Sequence, residues 1–295
     1  MSQQAQIRIG MAGWRYDEWR GTFYPEDLTQ KRELEYASRQ LNSLELNGTF
    51  YSTQRPKSFQ SWSKETPDDF VFSIKGSQFI THVRKLENVE TALANFLAQG
   101  MLSLGAKFGP ILWQLPPNFS IDLKRLETFF KLLPRTHKQA AAYGRQRDEW
   151  MASRSWLEVE EDLPLHHAVE VRHKSFAVPE YISLLRENNI ALVVADTVKW
   201  PCMMDTTADI VYCRLHGNEK LYPNGYTTDA IDLWARRVIA WSCGEEVSDG
   251  TRIHPDPGPK RDSRDVFVYF DDDNKVRAPF DAMSLSERIK EMNGE

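Results

Sequence analysis

Short apolar runs alternate with helical patterns along the chain, and this alternation restricts the fold more than any other feature. The runs are rich in β-branched residues and have the length of strands. They are residues 7–11, 43–46, 70–75, 109–114, 167–171, 191–195, 210–215 and 266–270. Apolar positions at helical spacing occupy residues 28–41, 56–65, 89–104, 123–133, 180–187, 228–241 and 282–292. Eight strands and about seven helices in 295 residues predict an α/β fold, a TIM-type (β/α)8 barrel. An open doubly wound sheet is the alternative, although its Gly-rich dinucleotide loop is missing after the first strand.

Two segments interrupt this alternation, and we interpret them as insertions into a single domain of residues 1–295. Residues 134–164 are polar, first basic and then acidic, and are expected to form an inserted helical segment. Residues 244–264 are rich in Gly, Pro and charge, which is typical of a mobile loop. Both insertions are therefore expected to modify one barrel domain.

Polar side chains stand near the C-terminal ends of most strand runs. They are Glu45, Asn47, Lys75, Gln114, Glu170, Arg172, Asp196, Arg214 and His216. A strand that is covered on both faces is normally apolar throughout, and a buried charge costs several kcal/mol unless it is paired. Because side chains alternate along a strand, each polar set shares one face, opposite the apolar set. Chemistry in a barrel of this type takes place at the C-terminal ends of the strands, so these residues predict one shared polar site.

The charges of this predicted site nearly balance, which leaves two interpretations open. One is a structural ion-pair network that fills the barrel. The other is a ligand pocket in which Lys75, Arg172 and Arg214 hold a phosphate or carboxylate group. In that pocket Glu45, Glu170 or Asp196 would exchange protons with His216. Asn47 and Gln114 would orient hydroxyl or carbonyl groups of the substrate.

Histidines and aromatic residues near the strand ends add further candidates. His82, His173 and His216 follow strands and could form a metal site with Glu45, Glu170 or Asp196, but no HxH or HExxH spacing supports one, and no metal is predicted. No cofactor is predicted either. We place His82 among the substrate-binding residues. Trp14 and Tyr51 belong to aromatic-rich loops after the first two strands, where they either pack over the barrel mouth or form a stacking platform for a ring.

Composition bears on the function class and the compartment. The formal charge of -5 gives no general attraction to phosphate backbones, so nucleic acid is not favoured as a partner. No segment approaches the roughly 18 consecutive apolar residues of a membrane span, and the first ten residues lack the apolar run of a signal peptide. Three cysteines without CxxC spacing predict reduced thiols and a cytoplasmic protein.

Three functions follow from these residues, and the sequence leaves open whether the protein is an enzyme. The first is an enzyme that acts on a small anionic substrate at the barrel mouth by acid–base chemistry. The second is a nucleic-acid-binding protein or nuclease-like barrel, for which the basic stretch 131–154 is the main support. The third is a non-catalytic module that binds a metabolite. The oligomeric state does not follow from the sequence.

The strand-end motifs resemble the domain of unknown function 72 family, the YecE-like proteins, from residue 7 to about residue 285. The motifs, in order, are GMAGW, LELNGTFY, FSIKG, QLPPNF, VEVRHKSF, VVADT, YCRLHG and VYFDDD. The resemblance implies a TIM-type barrel and no particular reaction. That barrel is distantly similar to those of metal-dependent AP endonucleases and sugar isomerases, which is an analogy of fold alone. The chain departs from the family at 271–273, where three aspartates replace the usual asparagines.

Overall fold

A computed structural model describes residues 5–217, 225–271 and 276–294 of the chain. Within these ranges the strands are β1 Ile7–Ala12, β2 Ser43–Leu46, β3 Val71–Lys75, β4 Phe108–Gln114, β5 His167–Glu170, β6 Ala191–Asp196, β7 Ile210–Leu215 and β8 Asp265–Phe270. The α-helices are α1 Glu33–Gln40, α2 Gly48–Tyr51, α3 Pro56–Glu65, α4 Glu90–Ala98, α5 Leu123–Leu132, α6 His137–Gly144, α7 Pro179–Glu187, α8 Thr228–Ser242 and α9 Ala278–Asn293. Short 3-10 or π-helical turns lie at Asp17–Trp19, Gln30–Arg32, Phe79–Val83, Met101–Lys107, Glu149–Arg154 and Lys174–Phe176.

The strands close into a parallel barrel in which each strand pairs with the next along the chain and β8 pairs with β1. The predicted TIM-type (β/α)8 barrel is therefore confirmed, and the open sheet is excluded. Each predicted strand is present, and its ends differ from the prediction by no more than one residue. The register sets Ala12 beside Glu45 and Glu45 beside Ser73, so the ends of neighbouring strands meet at one level.

The helices follow the predicted pattern less closely than the strands. Helix α3 has the predicted bounds and begins at Pro56, a residue suited to the first helical turn. The pattern at 89–104 breaks at Gly100, whose φ of 117° suits glycine, and a 3-10 turn follows it. The pattern at 28–41 starts as a 3-10 turn, and only its second half is α-helical. No helix in the described ranges combines the length and the apolar character that crossing a membrane requires.

Both insertions are tied to the barrel by hydrogen bonds. In the first, which contains α6, Asp148 and Asn95 of α4 exchange two hydrogen bonds, of 2.8 and 2.9 Å. Residues 244–264 contain neither helix nor strand. Asp205 accepts from the backbone N–H groups of Ile253 and His254, and buried Arg264 donates to two carbonyl oxygens of the same segment. The segment predicted as a mobile loop is thus anchored at several points.

The alternation of side chains divides the apolar residues into two clusters. The larger cluster lies between the sheet and the helices. The smaller one fills the barrel interior and consists of Leu112, Ala168, Ala191, Val193, Ala208, Ile210, Tyr212, Phe267 and Tyr269. The rings of Tyr212 and Phe267 stack at 6.4 Å, and Tyr269 lies 5.2 Å from Tyr212. This floor of aromatic and aliphatic side chains supports the polar layer at the C-terminal ends of the strands.

The approach of β1 to β2 depends on Gly10. A Cβ atom at this position would lie 2.0 Å from the backbone oxygen of Ser43, and a backbone atom cannot move aside as a side chain can. We expect Gly10→Ala to lower the free energy of unfolding by about 1–3 kcal/mol, measured by urea unfolding. Gly48→Ala is the control, because its added Cβ meets only a side chain at ordinary contact distance. Equal stabilities of the two variants would contradict this role of Gly10.

Candidate functional site

The polar layer is organised around the guanidinium group of Arg214, which is completely buried. Its Nε and Nη2 atoms donate to the two carboxylate oxygens of Glu45, at 3.1 and 2.9 Å. Nη2 also donates to Asp271 at 2.7 Å, and Nη1 donates to Glu170 at 2.6 Å. Burial by itself would lower the pKa of Arg214, but the three carboxylates raise it well above its ordinary value. Because four of its five N–H groups are engaged, Arg214 holds the carboxylates in place and has little capacity left for an external anion.

Glu45 and Glu170 are committed to this network. Glu45 also accepts a hydrogen bond from the hydroxyl group of Tyr212 at 2.7 Å, which joins the polar layer to the aromatic floor. Glu170 accepts from Arg172 Nε at 2.6 Å through its other oxygen. Burial would raise the pKa of Glu170, but Arg214, Arg172, His216 and Lys75 lower it to about 2. Glu170 is therefore ionised at neutral pH and is not suited to proton exchange there.

Lys75 is different, because its amine lies in the same layer without a partner. Its side chain is 8% exposed, and Nζ lies 4.5 Å from the ring centre of Phe50. Within the described residues Nζ makes no hydrogen bond and has no carboxylate within 4.0 Å. Burial and repulsion by Arg214 lower the pKa of Lys75 to about 8, while Glu45, Asp271 and Glu170 partly oppose the change. The amine therefore titrates close to physiological pH.

His216 is neutral and incompletely hydrogen bonded. It is 5% exposed, and Nε2 is buried without a hydrogen-bond partner in the described chain. Nδ1 lies 3.6 Å from an Asp271 oxygen and Nε2 lies 3.9 Å from a Glu170 oxygen, both beyond good hydrogen-bond length. Burial lowers the pKa of His216 to about 4, although the two carboxylates oppose it. A neutral ring at this depth can accept or donate one hydrogen bond to a bound molecule.

Trp200 holds Arg172 and His216 at the edge of the network. The guanidinium carbon of Arg172 lies 4.2 Å from the ring centre of Trp200, and the ring of His216 meets the indole edge-on at 5.1 Å. The indole N–H of Trp200 is buried and finds no acceptor among the described residues. Arg172 donates a hydrogen bond from Nε to Glu170, and its terminal amino groups have no hydrogen-bond partner in the described part of the chain. Arg172 is therefore the arginine that can take up an anion.

The remaining predicted residues surround this group at different depths. Asn47 follows β2, and its Oδ1 is buried without a partner in the described ranges. Gln114 is 6% exposed and is paired with Glu170 in the sheet. The ring of His82 meets Phe50 edge-on at 5.1 Å, and burial, Lys75 and Arg172 lower its pKa. Tyr51 is 70% exposed, and its ring meets that of Phe50 edge-on at 5.0 Å.

The structure does not bring Asp196 to the cluster, which corrects its predicted location, and the ring contacts of Trp14 are with α3 and the first loop. Asp196 accepts from Tyr226 Oη at 2.8 Å and from Trp234 Nε1 at 3.2 Å, on the outer side of the sheet under α8. The reason is strand parity: Ala191 and Val193 of β6 fill the barrel interior, so Asp196 points outwards. Trp14 packs edge-on against Trp62 of α3 at 5.5 Å, as the packing interpretation of the first loop expected.

Three residues of the site were missed in the sequence. Asp271 was noted only as a departure from the family pattern, although Phe267, Tyr269 and Asp271 alternate at the end of β8 and parity places them all inside. Its neighbours Asp272 and Asp273 lie outside the described residues. Trp200 lies in a loop between β6 and β7, where no periodic pattern points to it. Phe50 lies in the aromatic-rich loop after β2, and nothing in the sequence predicted its position beside Lys75.

The described part of the chain contains no evident metal-binding site. No cluster of three or more His, Cys, Asp or Glu side chains within these residues has an arrangement suited to a metal ion. The three cysteines are free, with Cys213 buried and Cys243 exposed. His173, the third histidine at a strand end, is hydrogen bonded to Ser175 at 2.8 Å.

Comparison with known proteins finds a family that matches nearly the whole chain and curated relatives that match part of it. The family described as "Protein of unknown function DUF72" matches residues 8–295. The UPF0759 protein YecE of Escherichia coli (strain K12) is 30% identical over 129 residues, which are 43% of this chain and 44% of that protein. The UPF0759 protein YunF of Bacillus subtilis (strain 168) is 28% identical over 118 residues, 38% and 41% of the two chains. The matched segments thus span less than half the length of these curated relatives.

Solved structures show the same fold over nearly the full chain. A DUF72 family protein from Thermotoga maritima MSB8 superposes with a TM-score of 0.69 at 22% identity, over 98% of this chain and 100% of that one. A DUF72 family protein from Enterococcus faecalis V583 has a TM-score of 0.62 at 17% identity, over 99% and 98%. At this level of identity the likeness supports the barrel and not a shared activity.

The central position of Arg214 predicts a large loss of stability when its charge is removed. Arg214→Met leaves Glu45, Glu170 and Asp271 without their shared countercharge, and we expect the free energy of unfolding to fall by about 3–5 kcal/mol in urea titrations. Arg288→Met is the control, because Arg288 pairs with Asp232 and Glu291 at a partly exposed site where solvent screens the charges. A loss no larger than that of the control would contradict the proposed centre of the network.

His216 and Glu170 make the stability sensitive to acid in two ranges of pH. The pKa of His216 is about 4 in the folded protein and about 6.5 in the unfolded chain, so the unfolded chain takes up the proton first. The free energy of unfolding therefore falls as pH decreases from about 6.5 towards 4. The lowered pKa of Glu170 adds stability that is complete above about 4.5 and is lost as pH falls through about 2.

The variant His216→Gln separates the first of these ranges from the second. Between about pH 7 and pH 5 we expect the free energy of unfolding of the wild type to fall by about 2 kcal/mol more than that of the variant, because only the wild type has the His216 ring, which takes up a proton more readily in the unfolded chain. Urea unfolding at both pH values measures the difference. The other histidines are common to both proteins and cancel. An equal loss in the two proteins would show that His216 is not held neutral by the fold.

Proposed function

Because the chain belongs to the DUF72 family, whose description specifies no reaction, its activity has to be inferred from the site itself, and we propose that it is an enzyme. It binds a small substrate that carries a phosphate or carboxylate group at the C-terminal mouth of the barrel and transforms it by acid–base chemistry. The free cysteines favour the cytoplasm as its setting.

One observation carries the proposal: the polar layer has a saturated half and an unsaturated half. Arg214, Glu45 and Tyr212 satisfy one another at the bottom of the layer. Above them the amine of Lys75 and the buried Nε2 of His216 have no hydrogen-bond partner among the described residues. Buried polar groups are nearly always hydrogen bonded, so two unsatisfied groups that lie together at the strand ends call for an external partner. A ligand that supplies the missing partners explains them.

Charge and donor geometry favour an anionic ligand. Arg172 offers the terminal amino groups of its guanidinium, while Trp200 supports the plane of that group. The side chain of Arg172 is 18% exposed, so an anion can reach it from the mouth. Arginine binds carboxylate and phosphate groups in a bidentate manner, and Lys75 adds a second positive charge. Asn47 and Gln114 are then available to orient hydroxyl or carbonyl groups of the substrate.

The proton-transfer roles fall to Lys75 and His216. With a pKa of about 8, Lys75 can both give and take a proton near neutral pH. His216 accepts or donates a hydrogen bond in its neutral form. Glu45 and Glu170, assigned to catalysis from the sequence, act in this proposal by positioning Arg214 and Arg172. The alternative of a non-catalytic metabolite-binding module uses the same pocket and differs only in the absence of turnover.

Binding of inorganic phosphate tests the anion site directly. By calorimetric titration at low ionic strength we expect the wild type to bind phosphate and Arg172→Gln to bind it about tenfold or more weakly, a difference of roughly 1.4 kcal/mol. The fold of this variant is expected to persist, because Glu170 keeps its bond to Arg214. Arg32→Gln is the control, since it breaks an exposed pair with Glu35 on α1.

Turnover separates the enzyme from the binding module. A panel of phosphorylated sugars and small carboxylic acids, followed by nuclear magnetic resonance, is expected to show conversion of at least one member by the wild type. Lys75→Met is expected to lose that conversion while it retains a folded barrel. If phosphate binds equally to the wild type and Arg172→Gln, the proposed anion site is wrong. If members of the panel bind without any conversion, the non-catalytic module is correct.

A further inference from the structure

We propose that Lys75 is a nucleophile that forms an imine with the carbonyl carbon of an anionic aldehyde or ketone. This inference rests on the proposed function, because it names the substrate class of the same pocket. The substrate would carry a carboxylate or phosphate group for Arg172 and a carbonyl group for Lys75.

A comparison within the chain shows how unusual the environment of Lys75 is. Lys75 and Lys107 are each 8% exposed as residues, and desolvation lowers the pKa of both amines. Lys107 is satisfied: its amine donates to the backbone oxygen of Ser63 at 2.6 Å and to the backbone oxygen of Thr66 at 2.9 Å. Lys75 has no such acceptor in the described chain and lies over the ring of Phe50. Lys107 is therefore a structural lysine, whereas the described residues give the amine of Lys75 no hydrogen-bond acceptor.

The surroundings of Lys75 favour the neutral, nucleophilic form of the amine. The groups that act on its charge come from four strands or strand ends: Arg214 from β7, Glu45 from β2, Glu170 from β5 and Asp271 after β8. The carboxylates already bind Arg214 or Arg172, whose positive charges offset most of their attraction for the Lys75 ammonium group. With a pKa of about 8, about a tenth of the amine is neutral at pH 7, far more than for an exposed lysine.

Arg172 and Lys75 occupy interior positions at or just after the C-terminal ends of β5 and β3, so one small molecule in the barrel mouth would meet both. Both side chains lower the pKa of His82, whose ring packs on Phe50 beside the Lys75 amine. Both also interact with the single carboxylate of Glu170. A 2-oxo acid or a phosphorylated aldehyde or ketone has a charged group and a carbonyl group only a few bonds apart. These compounds form the chemical class that the pair would select.

The covalent step balances without a further reagent. The neutral amine of Lys75 attacks the carbonyl carbon, a C–N bond forms, and a carbinolamine results. Its C–O bond then breaks, and the oxygen leaves as water together with the two hydrogens of the amine. His216 and Asn47 are buried polar groups with open hydrogen-bonding capacity, and they would stabilise the carbinolamine hydroxyl. The imine is an electron sink for a neighbouring carbon, so bond cleavage or isomerisation next to the carbonyl would follow.

Reductive trapping tests the proposal on the full chain. The protein is incubated with pyruvate or with glyceraldehyde 3-phosphate, treated with borohydride, and mapped by peptide mass spectrometry. We expect a reduced adduct at Lys75, at least about tenfold more abundant than at the exposed Lys57 of α3 and at the buried Lys107. Trapping at Lys75 should increase between about pH 7 and pH 9 as the amine loses its proton.

Two controls make the result decisive. Lys75→Met must abolish the selective adduct, with the fold checked by circular dichroism, and inorganic phosphate must compete with trapping through Arg172. An adduct at Lys75 that is no more abundant than at Lys57 overturns the proposal. If phosphate binds through Arg172 but no adduct forms at Lys75, the anion site stands and the imine is wrong. If neither phosphate nor either carbonyl compound binds, both the imine proposal and the proposed function are wrong.

Discussion

The buried guanidinium of Arg214 is the interaction on which the rest of the site depends. It gathers carboxylates from β2, from β5 and from the end of β8, so that three separate parts of the barrel rim meet at one cation. A buried charge without a partner would be strongly destabilising. Here three carboxylates neutralise the guanidinium, and Glu45 accepts a further hydrogen bond from the hydroxyl of Tyr212. The cost of bringing these charges out of water is offset by well-formed hydrogen bonds between them, and Tyr212 joins this network to the aromatic floor.

This arrangement gives the barrel three levels with different tasks. The lowest level is apolar and fills the interior. The middle level is the saturated network around Arg214. The upper level contains Lys75, Arg172 and His216, whose hydrogen-bonding capacity the network does not fully satisfy. Rigid support beneath unsatisfied polar groups is the arrangement that binding and catalysis require, because the groups need no reorganisation when a ligand arrives.

Strand parity explains both the success and the failure of the sequence prediction at the site. Alternation correctly placed Glu45, Lys75, Glu170 and Arg214 inside the barrel, because each stands in a strand whose opposite face is apolar. The same rule, applied to β6, would have removed Asp196, since the interior positions of that strand are small and apolar. Applied to β8, it would have added Asp271. The parity rule could not predict the position of Trp200, because a loop residue follows no periodic pattern that shows which way its side chain points.

The sequence by itself determined the architecture, since eight apolar runs separated by helical patterns bury their two faces most completely in a closed barrel. It also determined which end of the barrel is polar. Only the tertiary structure decided how the charges are divided. Four basic residues stand in or beside strands: Arg172, Arg214, Lys75 and Lys107. Nothing in their local sequence distinguishes a structural role from a binding role. Which cation is saturated by carboxylates or backbone oxygens, and which is left open, depends on contacts between residues distant along the chain.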